Sequence, residues 1–235
     1  MTGIFERKEQ KYLLTAGQRR ALEKVLLRYM KEDEHGESII RNVYFDTDTG
    51  ILVRRSLEKP VYKEKLRIRS YRKTGEDDKA FLELKKKYKG IVYKRRIEVN
   101  EREFYEYLQG KRLFPEPGQI AGEIDYFCRF YQTIKPRIYL SYERCAFFGI
   151  SDDSLRITFD RNIRWRTDRL SLSEEAGGED ILADGMSLME IKAASAMPLW
   201  LVDQLNTLKI RQTSFSKYGN AYKSYISEKG EIRYA

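Results

Sequence analysis

Charged and aliphatic residues alternate along several short stretches of the chain. In residues 65–69 (KLRIR) every second position is a cation, and the positions between are Leu66 and Ile68. After a polar turn, residues 81–85 (FLELK) repeat the alternation with a Glu and a Lys. Successive side chains point to opposite faces of a strand, so each stretch predicts a strand with one apolar face and one ionic face. Taken singly, such a strand fits a half-exposed antiparallel sheet whose charges lie in water.

The same alternation recurs in at least seven predicted strands. Their ionic positions are Arg7/Glu9/Lys11, Lys65/Arg67/Arg69, Glu83/Lys85, Lys94/Arg96/Glu98, Tyr142/Arg144, Arg156/Asp160 and Glu190/Lys192.

Amphipathic segments between these strands predict helices. Thr15 with Gln18, and Asn100 with Glu103, have the spacing of helix N-terminal caps. We expect the first helix to run to about residue 30, and the basic stretch 161–169 to be irregular. Apolar stripes predict further helices at residues 120–134, 198–209 and 216–226.

Each helix must bury its apolar stripe, and the apolar strand faces are the available partners. The ionic faces are then left to face one another. The sequence therefore predicts an α+β fold: a closed antiparallel eight-stranded β tunnel with a charged interior and helices packed outside. The alternative is an open sheet with helices on one side and a solvated ionic face. No linker or repeat divides the chain, so we expect a single domain over residues 1–235.

The composition of the chain also indicates an anionic partner. The chain has 45 basic and 36 acidic residues, a net charge of +9 and a sequence pI of about 9.3. This balance fits nucleic acid, membrane headgroups or phosphate-rich small molecules. The cations lie on strands rather than on one helix face, so we expect no nucleic acid partner. Cations lining a lumen, with a few Glu residues among them, fit a triphosphate-like chain and a divalent metal that bridges its oxygens.

Several other classes of site are excluded by residue counts. The chain has one histidine, His35, which excludes a His-dependent triad and a multi-His zinc site. Cys128 and Cys145 lack metal-ligand spacing, and we expect both to be buried free thiols. No apolar run approaches the roughly 18 residues of a membrane span, and no signal region opens the chain, so we expect a cytoplasmic protein.

Eight short stretches together resemble a known family. They are RKEQKY from Arg7, VYFDT from Val43, LRIRSY from Leu66, ELK from Glu83, YERCAF from Tyr142, LRITFD from Leu155, LMEIK from Leu188 and SFSKY from Ser214. In their order and spacing they resemble the triphosphate tunnel metalloenzymes of the CYTH-like superfamily. Within these, the chain is most similar to the polyphosphate polymerase (VTC) domain of the vacuolar transporter chaperone complex.

The resemblance implies a tunnel that moves the terminal phosphoryl group of ATP onto a growing polyphosphate chain. It implies Mn²⁺ or Mg²⁺ as cofactor, with Glu190 as the metal ligand. It also implies partners that include ATP and inorganic polyphosphate or tripolyphosphate, and leaves the oligomeric state open. The implied phosphate-binding cations are Lys11, Arg67, Arg69, Lys85, Arg144 and Arg156. The further substrate-binding residues are Tyr142 and Ser216 as hydroxyl donors, Lys217, and the ionic-face residues Lys192, Glu83 and Glu9.

Two positions depart from the family pattern. Ser214 stands where the polymerase has a tunnel lysine, which affects the expected chain length or turnover. Arg7 replaces the first acidic residue of the superfamily's Glu-x-Glu-x-Lys opening. That loss favours the polymerase over the two-metal triphosphatase and cyclase branches. A metal-dependent tripolyphosphatase or nucleoside triphosphatase and a non-catalytic polyphosphate-binding module remain as alternatives.

Overall fold

A computed structural model describes residues 8–34, 36–58, 60–89, 91–194 and 196–228 of the chain. The strands in these residues are β1 (Lys8–Leu14), β2 (Met30–Glu32), β3 (Ser38–Asp46), β4 (Tyr62–Ser70), β5 (Lys79–Tyr88), β6 (Ile91–Asn100), β7 (Lys135–Gly149), β8 (Arg156–Arg166), β9 (Glu179–Asp180), β10 (Ser187–Ala193) and β11 (Gln212–Thr213). The helices are α1 (Ala16–Leu26), α2 (Ile51–Leu57), α3 (Glu101–Leu108), α4 (Gln119–Tyr131), α5 (Leu199–Thr207) and α6 (Lys217–Glu228).

The fold is α+β with a large antiparallel sheet, as the alternation predicts. Its strand order is β11-β1-β10-β8-β7-β3-β4-β5-β6, with β2 paired to β7 and β9 paired to β8. Within the described residues this order is open, since it ends at β11 on one side and at β6 on the other. The closed eight-stranded tunnel is therefore not confirmed. The prediction assumed that the ionic faces must meet one another, whereas buried carboxylates on each face already pair with its cations.

The described residues form two compact units, and β3, β7 and β8 contribute residues to both. The first unit is built from the described parts of Met1–Ile39, Tyr142–Ile163 and Asp180–Ser216. Its sheet contains β11, β1, β10, β8 and the second half of β7. Its core is made of apolar side chains from these strands and from α1 and α5, among them Leu14, Leu22, Phe159, Met189 and Leu201.

The second unit is built from the described parts of Ile40–Ser141, Arg164–Glu179 and Lys217–Ala235. Its sheet contains the first half of β7 followed by β3, β4, β5 and β6. Helices α3 and α4 supply Phe104, Ile124 and Phe127 to a core that includes Leu66 and Leu82 from the sheet. The amphipathic helices thus bury their stripes on the apolar strand faces, as expected.

The register of β4 on β5 explains why the two faces differ. Leu66 lies opposite Leu84, and Ile68 lies opposite Leu82, so the aliphatic positions meet on one face. The alternate positions meet on the other face, where Arg67 lies opposite Glu83. A one-residue slip would exchange the faces and expose the aliphatic side chains, so burial holds this register.

Both predicted helix caps are present. The Thr15 hydroxyl accepts a hydrogen bond from the backbone N–H of Gln18, and the Gln18 side chain accepts one from the backbone N–H of Thr15. Asn100 accepts from the backbone N–H of Glu103 at the start of α3. These short-range signals are reliable because they involve residues three positions apart.

Two predicted boundaries were wrong. Helix α1 ends at Leu26, and Met30 begins strand β2. The basic stretch expected to be irregular is instead the second half of β8, which runs to Arg166. Ile163 and Trp165 are buried at alternate positions of this half, so the period-two pattern exists but is obscured by the surrounding cations.

Other expectations concern the cysteines and the membrane. Cys128 and Cys145 are free and buried, as predicted. None of the helices in the described residues is both long and apolar enough to cross a membrane. His35 and Arg7 lie outside the described residues.

Asp46 connects three elements of the second unit. It ends β3, is fully buried, and accepts hydrogen bonds from the backbone N–H groups of Thr47, Leu52 and Val53 at 2.8–2.9 Å. The hydroxyl of Tyr218 in α6 also donates to it, at 2.9 Å. Since Gly50 at the start of α2 has no side chain to cap the helix, Asp46 supplies the missing acceptors.

We predict that Asp46→Asn destabilises the protein by about 1–3 kcal/mol, because the amide presents N–H groups to donors that need an acceptor. The change in the midpoint of urea unfolding measures the loss. Asp48→Asn is the matched control, since Asp48 is exposed and its carboxylate forms an ion pair with Lys135 at the protein surface. Equal midpoints for the two variants would contradict the capping role of Asp46.

Candidate functional site

A buried carboxylate lies at the centre of the ionic face of β4, β5 and β6. Glu83 is 1% exposed, and the register places it between Arg67 of β4 and Arg96 of β6. Arg67 donates to one carboxylate oxygen from Nε at 2.8 Å and from an NH2 group at 2.6 Å. Arg96 Nε donates to the other oxygen at 2.7 Å, and Lys94 Nζ lies 2.7 Å from that same oxygen. Three cations therefore converge on one carboxylate.

This arrangement keeps Glu83 ionised. Burial alone would raise the pKa of the Glu83 carboxyl, but the charges of Arg67 and Arg69 and the hydrogen bond from Lys94 outweigh burial. They hold the pKa of Glu83 well below its usual range. The carboxylate contributes stability above its unfolded pKa, and the contribution is lost only as the pH falls through the depressed folded value.

Polar side chains of β3 continue the ionic face beyond Arg67 and Arg69. Arg67 donates to the Tyr44 hydroxyl at 3.0 Å, and Arg69 Nε donates to the Asn42 side-chain oxygen at 2.8 Å. Burial favours a raised pKa for Tyr44, but the charges of Arg67, Arg69 and Lys65 and the hydrogen bond from Arg67 lower it to about 8.

Sequence reasoning missed Asn42 and Tyr44. Their signal was present in residues 38–46 (SIIRNVYFD), where Asn42, Tyr44 and Asp46 alternate with the buried Val43 and Phe45. It was overlooked because Asn42 and Tyr44 are polar without being charged.

The structure brings Arg67, Arg69 and Glu83 together, and it places Lys85 one step further along the same face. Lys85 is exposed and lies opposite Lys65 on β4 and Lys94 on β6. Lys217 is buried as the first residue of α6. The next residue, Tyr218, stacks on Tyr44 with ring centroids 4.4 Å apart.

A second ionic face lies in the other unit, on β1, β10, β8 and the second half of β7. Glu190 of β10 is 6% exposed and lies opposite Lys11 of β1, with Lys11 Nζ 3.3 Å from one carboxylate oxygen. Lys11 also donates to the Phe215 carbonyl at 3.1 Å, next to Ser216. The register places Lys192 opposite Glu9, with 3.6 Å between the amine and a Glu9 oxygen.

Arg144 joins two carboxylates on this face. It donates to both oxygens of the buried Asp160, at 2.6 and 2.7 Å, which is the planar two-bond geometry that guanidinium and carboxylate groups favour. One Arg144 nitrogen is 3.5 Å from Glu190, and the guanidinium carbon lies 5.1 Å from the centre of the Tyr142 ring. Asp160 thus orients Arg144 towards Glu190.

Arg156 and Thr158 complete the second face. Arg156 lies opposite Lys192, and its guanidinium carbon is 4.7 Å from the centre of the Phe148 ring. Thr158 lies directly opposite Glu190, and its buried hydroxyl has no hydrogen-bond partner among the described residues. Ser216 is partly buried, whereas Ser214 is exposed.

Glu190 fits a divalent metal that takes most of its ligands from outside the protein. Its contacts with Lys11 and Arg144, at 3.3 and 3.5 Å, are longer than tight charge-assisted hydrogen bonds, and the Thr158 hydroxyl lies across from it. No group of three or more His, Cys, Asp or Glu side chains in the described residues could form a full metal cage. Mg²⁺ commonly binds one or two carboxylates and completes its shell with water and phosphate oxygens.

Two solved structures share this fold. A proposed adenylate cyclase from Bacillus halodurans is 17% identical, with a TM-score of 0.56, and the match covers 89% of this chain and 95% of the other. A proposed adenylyl cyclase from Hippeastrum, described as revealing a dominant triphosphatase activity, is also 17% identical with a TM-score of 0.56. That match covers 92% of this chain and 95% of the other. At these identities the likeness concerns the fold alone.

No match to a curated protein was found. The family model of the VTC domain matches residues 6–226, which is nearly the whole chain. That range includes both ionic faces, with Glu83 and Glu190 at their centres. The chain therefore belongs to the VTC domain family.

Proposed function

We propose that this protein is an ATP-dependent polyphosphate polymerase-like phosphoryl transferase that uses a divalent metal. The observation that carries the proposal is the excess of cations around one buried carboxylate. On the face of β4, β5 and β6, Glu83 is surrounded by Lys65, Arg67, Arg69, Lys85, Lys94 and Arg96. So many neighbouring cations repel one another unless anions lie among them, and a chain of phosphates supplies anions at high density.

The proposed roles combine the family resemblance with the observed contacts. The phosphate-binding cations are Lys11, Arg67, Arg69, Lys85, Arg144 and Arg156, with Lys192 and Lys217 as further contacts. Tyr142 and Ser216 supply hydroxyl groups to phosphate oxygens, while Glu9 and Glu83 hold neighbouring cations in position. Glu190, with the Thr158 hydroxyl, would hold Mn²⁺ or Mg²⁺, which supplies charge neutralisation at the phosphate oxygens when bound.

The transfer needs no nucleophile from the protein. A terminal oxygen of the growing chain attacks the terminal phosphorus of ATP, a new P–O–P bond forms, and the bond to the bridging oxygen of the β-phosphate breaks, so that ADP leaves. The fixed Arg and Lys side chains align donor and acceptor and stabilise the charge that develops on the transferred group. Arg67 is suited to this work because Glu83 and Tyr44 hold its guanidinium in one orientation.

A triphosphate hydrolase is the second candidate, because the Hippeastrum neighbour is described as having triphosphatase activity. In that case water replaces the growing chain as acceptor. A cytoplasmic location is proposed for either activity. A third candidate is a non-catalytic polyphosphate-binding module, which would use the same cations to bind the chain but would catalyse no reaction.

One assay separates these functions. Incubation of the purified protein with ATP and Mn²⁺ or Mg²⁺ yields long chains for a polymerase, free phosphate for a hydrolase, and neither for a binding module. Gel analysis of chain length together with a phosphate assay reports all three outcomes. Free phosphate without chains would reject the polymerase.

We predict that Arg67→Ala and Arg156→Ala each weaken tripolyphosphate binding by about 10–100-fold, the value of one or two hydrogen bonds to a charged group. Calorimetric titration measures the affinity. The fold should survive, because Glu83 keeps Lys94 and Arg96 when Arg67 is removed. Arg129→Ala removes the same charge from an exposed helix position and should leave affinity unchanged. Wild-type affinity in both variants would refute the site.

Glu190→Gln is expected to lower metal-dependent turnover roughly 100-fold or more, because the charge of the metal-binding carboxylate is removed while its shape is kept. Binding of tripolyphosphate without metal should be equal or tighter, since a negative charge that repels phosphate is gone. Steady-state kinetics and calorimetry give the two readouts. Glu37→Gln, at a partly exposed ion pair with Arg161, is the control. Full turnover in Glu190→Gln would exclude the metal role.

Tyr44 provides a reporter of the cationic face. We predict that one tyrosine of the wild-type protein ionises at about pH 8 and that this ionisation is absent from the Tyr44→Phe variant. Saturating tripolyphosphate should raise the pKa of Tyr44, because the added anions offset the cations that lower it. Difference titration of tyrosinate absorbance measures both effects. Tyr105→Phe is the control, since burial raises the pKa of Tyr105 far above this range. An unchanged Tyr44 titration with ligand would place phosphate elsewhere.

A further inference from the structure

A cluster of exposed apolar side chains lies on the surface of the first unit. Five large apolar residues are exposed in the described part of this unit, and four of them come from three neighbouring segments. These four are Leu27, Tyr29, Ile150 and Leu199, with exposed fractions of 63%, 44%, 61% and 80%. Single exposed apolar residues are common on protein surfaces, whereas a contiguous group of them marks a site of interaction.

Specific contacts hold the three segments together. The ring of Tyr29 stacks on the ring of Trp200, with centroids 4.3 Å apart and planes inclined by 7°. Leu199 precedes Trp200 at the start of α5. The backbone N–H of Ile150 donates a hydrogen bond to the Tyr29 carbonyl at 2.9 Å. Leu27 lies two residues before Tyr29, at the C-terminal end of α1. These five residues are called the apolar patch below.

The structure beneath the patch holds it in a fixed shape. Trp200 packs against the hydrophobic core of the first unit. Ile150 begins the turn between β7 and β8, where Gly149 lies so close to the Asp152 carbonyl that a larger residue would clash. Protein interfaces often contain an aromatic anchor of this kind surrounded by other apolar side chains. An ordered patch loses little conformational freedom when a partner covers it, so it suits binding.

Exposed cations flank one side of the patch. Lys24 lies near the end of α1, and Arg28 lies between Leu27 and Tyr29. Neither cation forms an ion pair with any residue that the structure describes. This side of the patch is therefore positively charged.

Exposed carboxylates flank the other side. Asp153 lies three residues after Ile150 in the turn between β7 and β8, and Asp203 lies four residues after Leu199 on α5. Positions four apart share one face of a helix, so Asp203 lies on the same face as Leu199. Both aspartates are exposed, and within the described residues neither forms an ion pair. The patch therefore carries opposite charges on its two sides.

A surface with this charge pattern is complementary to a copy of itself. When two copies meet about a two-fold axis, the positive side of each faces the negative side of the other, and the apolar side chains meet between them. We propose that the protein forms a homodimer through the apolar patch in this arrangement. Burial of the patch supplies free energy of association, and the charges fix the orientation of the two copies.

An anionic membrane fits the patch less well than a second copy does. Its headgroups attract cations, but they repel Asp153 and Asp203. The net charge of +9 opposes association of two copies at long range. Counterions screen that repulsion beyond about 8 Å at physiological ionic strength, so the contacts at the patch decide. No patch residue has a role in the proposed phosphoryl transfer, so the dimer and that function are tested separately.

Sedimentation velocity at increasing protein concentration is the first test. The wild type should approach twice the 27.9 kDa mass of the chain. The variant Ile150→Glu/Leu199→Glu should stay monomeric, because a dimer would have to bury the added carboxylates. Leu113→Glu/Tyr126→Glu is the matched control, since it adds the same charge at exposed apolar residues of the second unit. The control should dimerise as the wild type does.

Charge reversal provides a second test that leaves the apolar residues in place. Lys24→Glu/Arg28→Glu makes both sides of the patch negative. Asp153→Lys/Asp203→Lys makes both sides positive. Each variant alone should dimerise roughly tenfold or more weakly than the wild type, because like charges then face one another. An equimolar mixture of the two variants should recover the dimer, since opposite charges meet again on both sides.

The same measurements can reject the homodimer. A wild type that stays monomeric at every concentration overturns it, and so does a dimer that persists in Ile150→Glu/Leu199→Glu. A mixture of the two charge-reversal variants that associates no better than either alone overturns the proposed orientation. A monomeric wild type that binds vesicles of phosphatidylcholine and phosphatidylglycerol, with binding lost in Ile150→Glu/Leu199→Glu, would assign the patch to a lipid surface instead.

Discussion

The organisation of the cationic sheet face depends on the ionised Glu83 carboxylate. It is almost completely buried, and an unpaired charge there would cost several kcal/mol. Arg67, Lys94 and Arg96 reach it from the two flanking strands, so the desolvation cost is offset by several short contacts. The same contacts fix three flexible side chains in defined positions. A surface of mobile cations is thereby converted into an ordered one that remains net positive.

The Glu190 face also pairs buried carboxylates with cations, but the ratio of carboxylates to cations is different. Asp160 is fully engaged by Arg144, which leaves Glu190 with longer and weaker contacts to Lys11 and Arg144. Carboxylates and cations are nearly equal in number here, whereas cations dominate around Glu83. Under the proposed function, the nearly equal balance at Glu190 suits a carboxylate that shares a metal with phosphate, and the excess of cations at Glu83 suits a chain of phosphates.

Packing on the β3 side of the Glu83 face supports its geometry. Asp46 ties the end of β3 to α2 and to Tyr218 of α6, and Tyr218 stacks on Tyr44. Tyr44 in turn accepts a hydrogen bond from Arg67. A buried carboxylate therefore orients the Arg67 guanidinium through two aromatic rings, which is the kind of pre-organisation that the proposed phosphoryl transfer requires. Membership of the VTC domain family agrees with this arrangement.

The sequence by itself determined the strands and the side chains that share each face, because the two-residue period follows from local backbone geometry. Arg67, Glu83, Lys85, Arg144, Arg156 and Glu190 were assigned to ionic faces on this basis alone. The caps at Thr15 and Asn100 were equally local. Asn42 and Tyr44 were not predicted because uncharged polar residues give a weak signal. The second half of β8, which ends at Arg166, was not predicted because the surrounding cations obscured the alternation of Ile163 and Trp165.

Only the tertiary structure decided which charges meet. That Glu83 lies between Arg67 and Arg96, that Asp160 holds Arg144, and that Lys63 lies opposite Lys87 are consequences of register between distant segments. Register is set by burial of the apolar faces across the whole sheet. The open strand order could not be predicted from the sequence either, since the alternation is the same in an open sheet and in a closed one. Pairing with buried carboxylates neutralises much of each ionic face locally, so the charge pattern alone does not require closure.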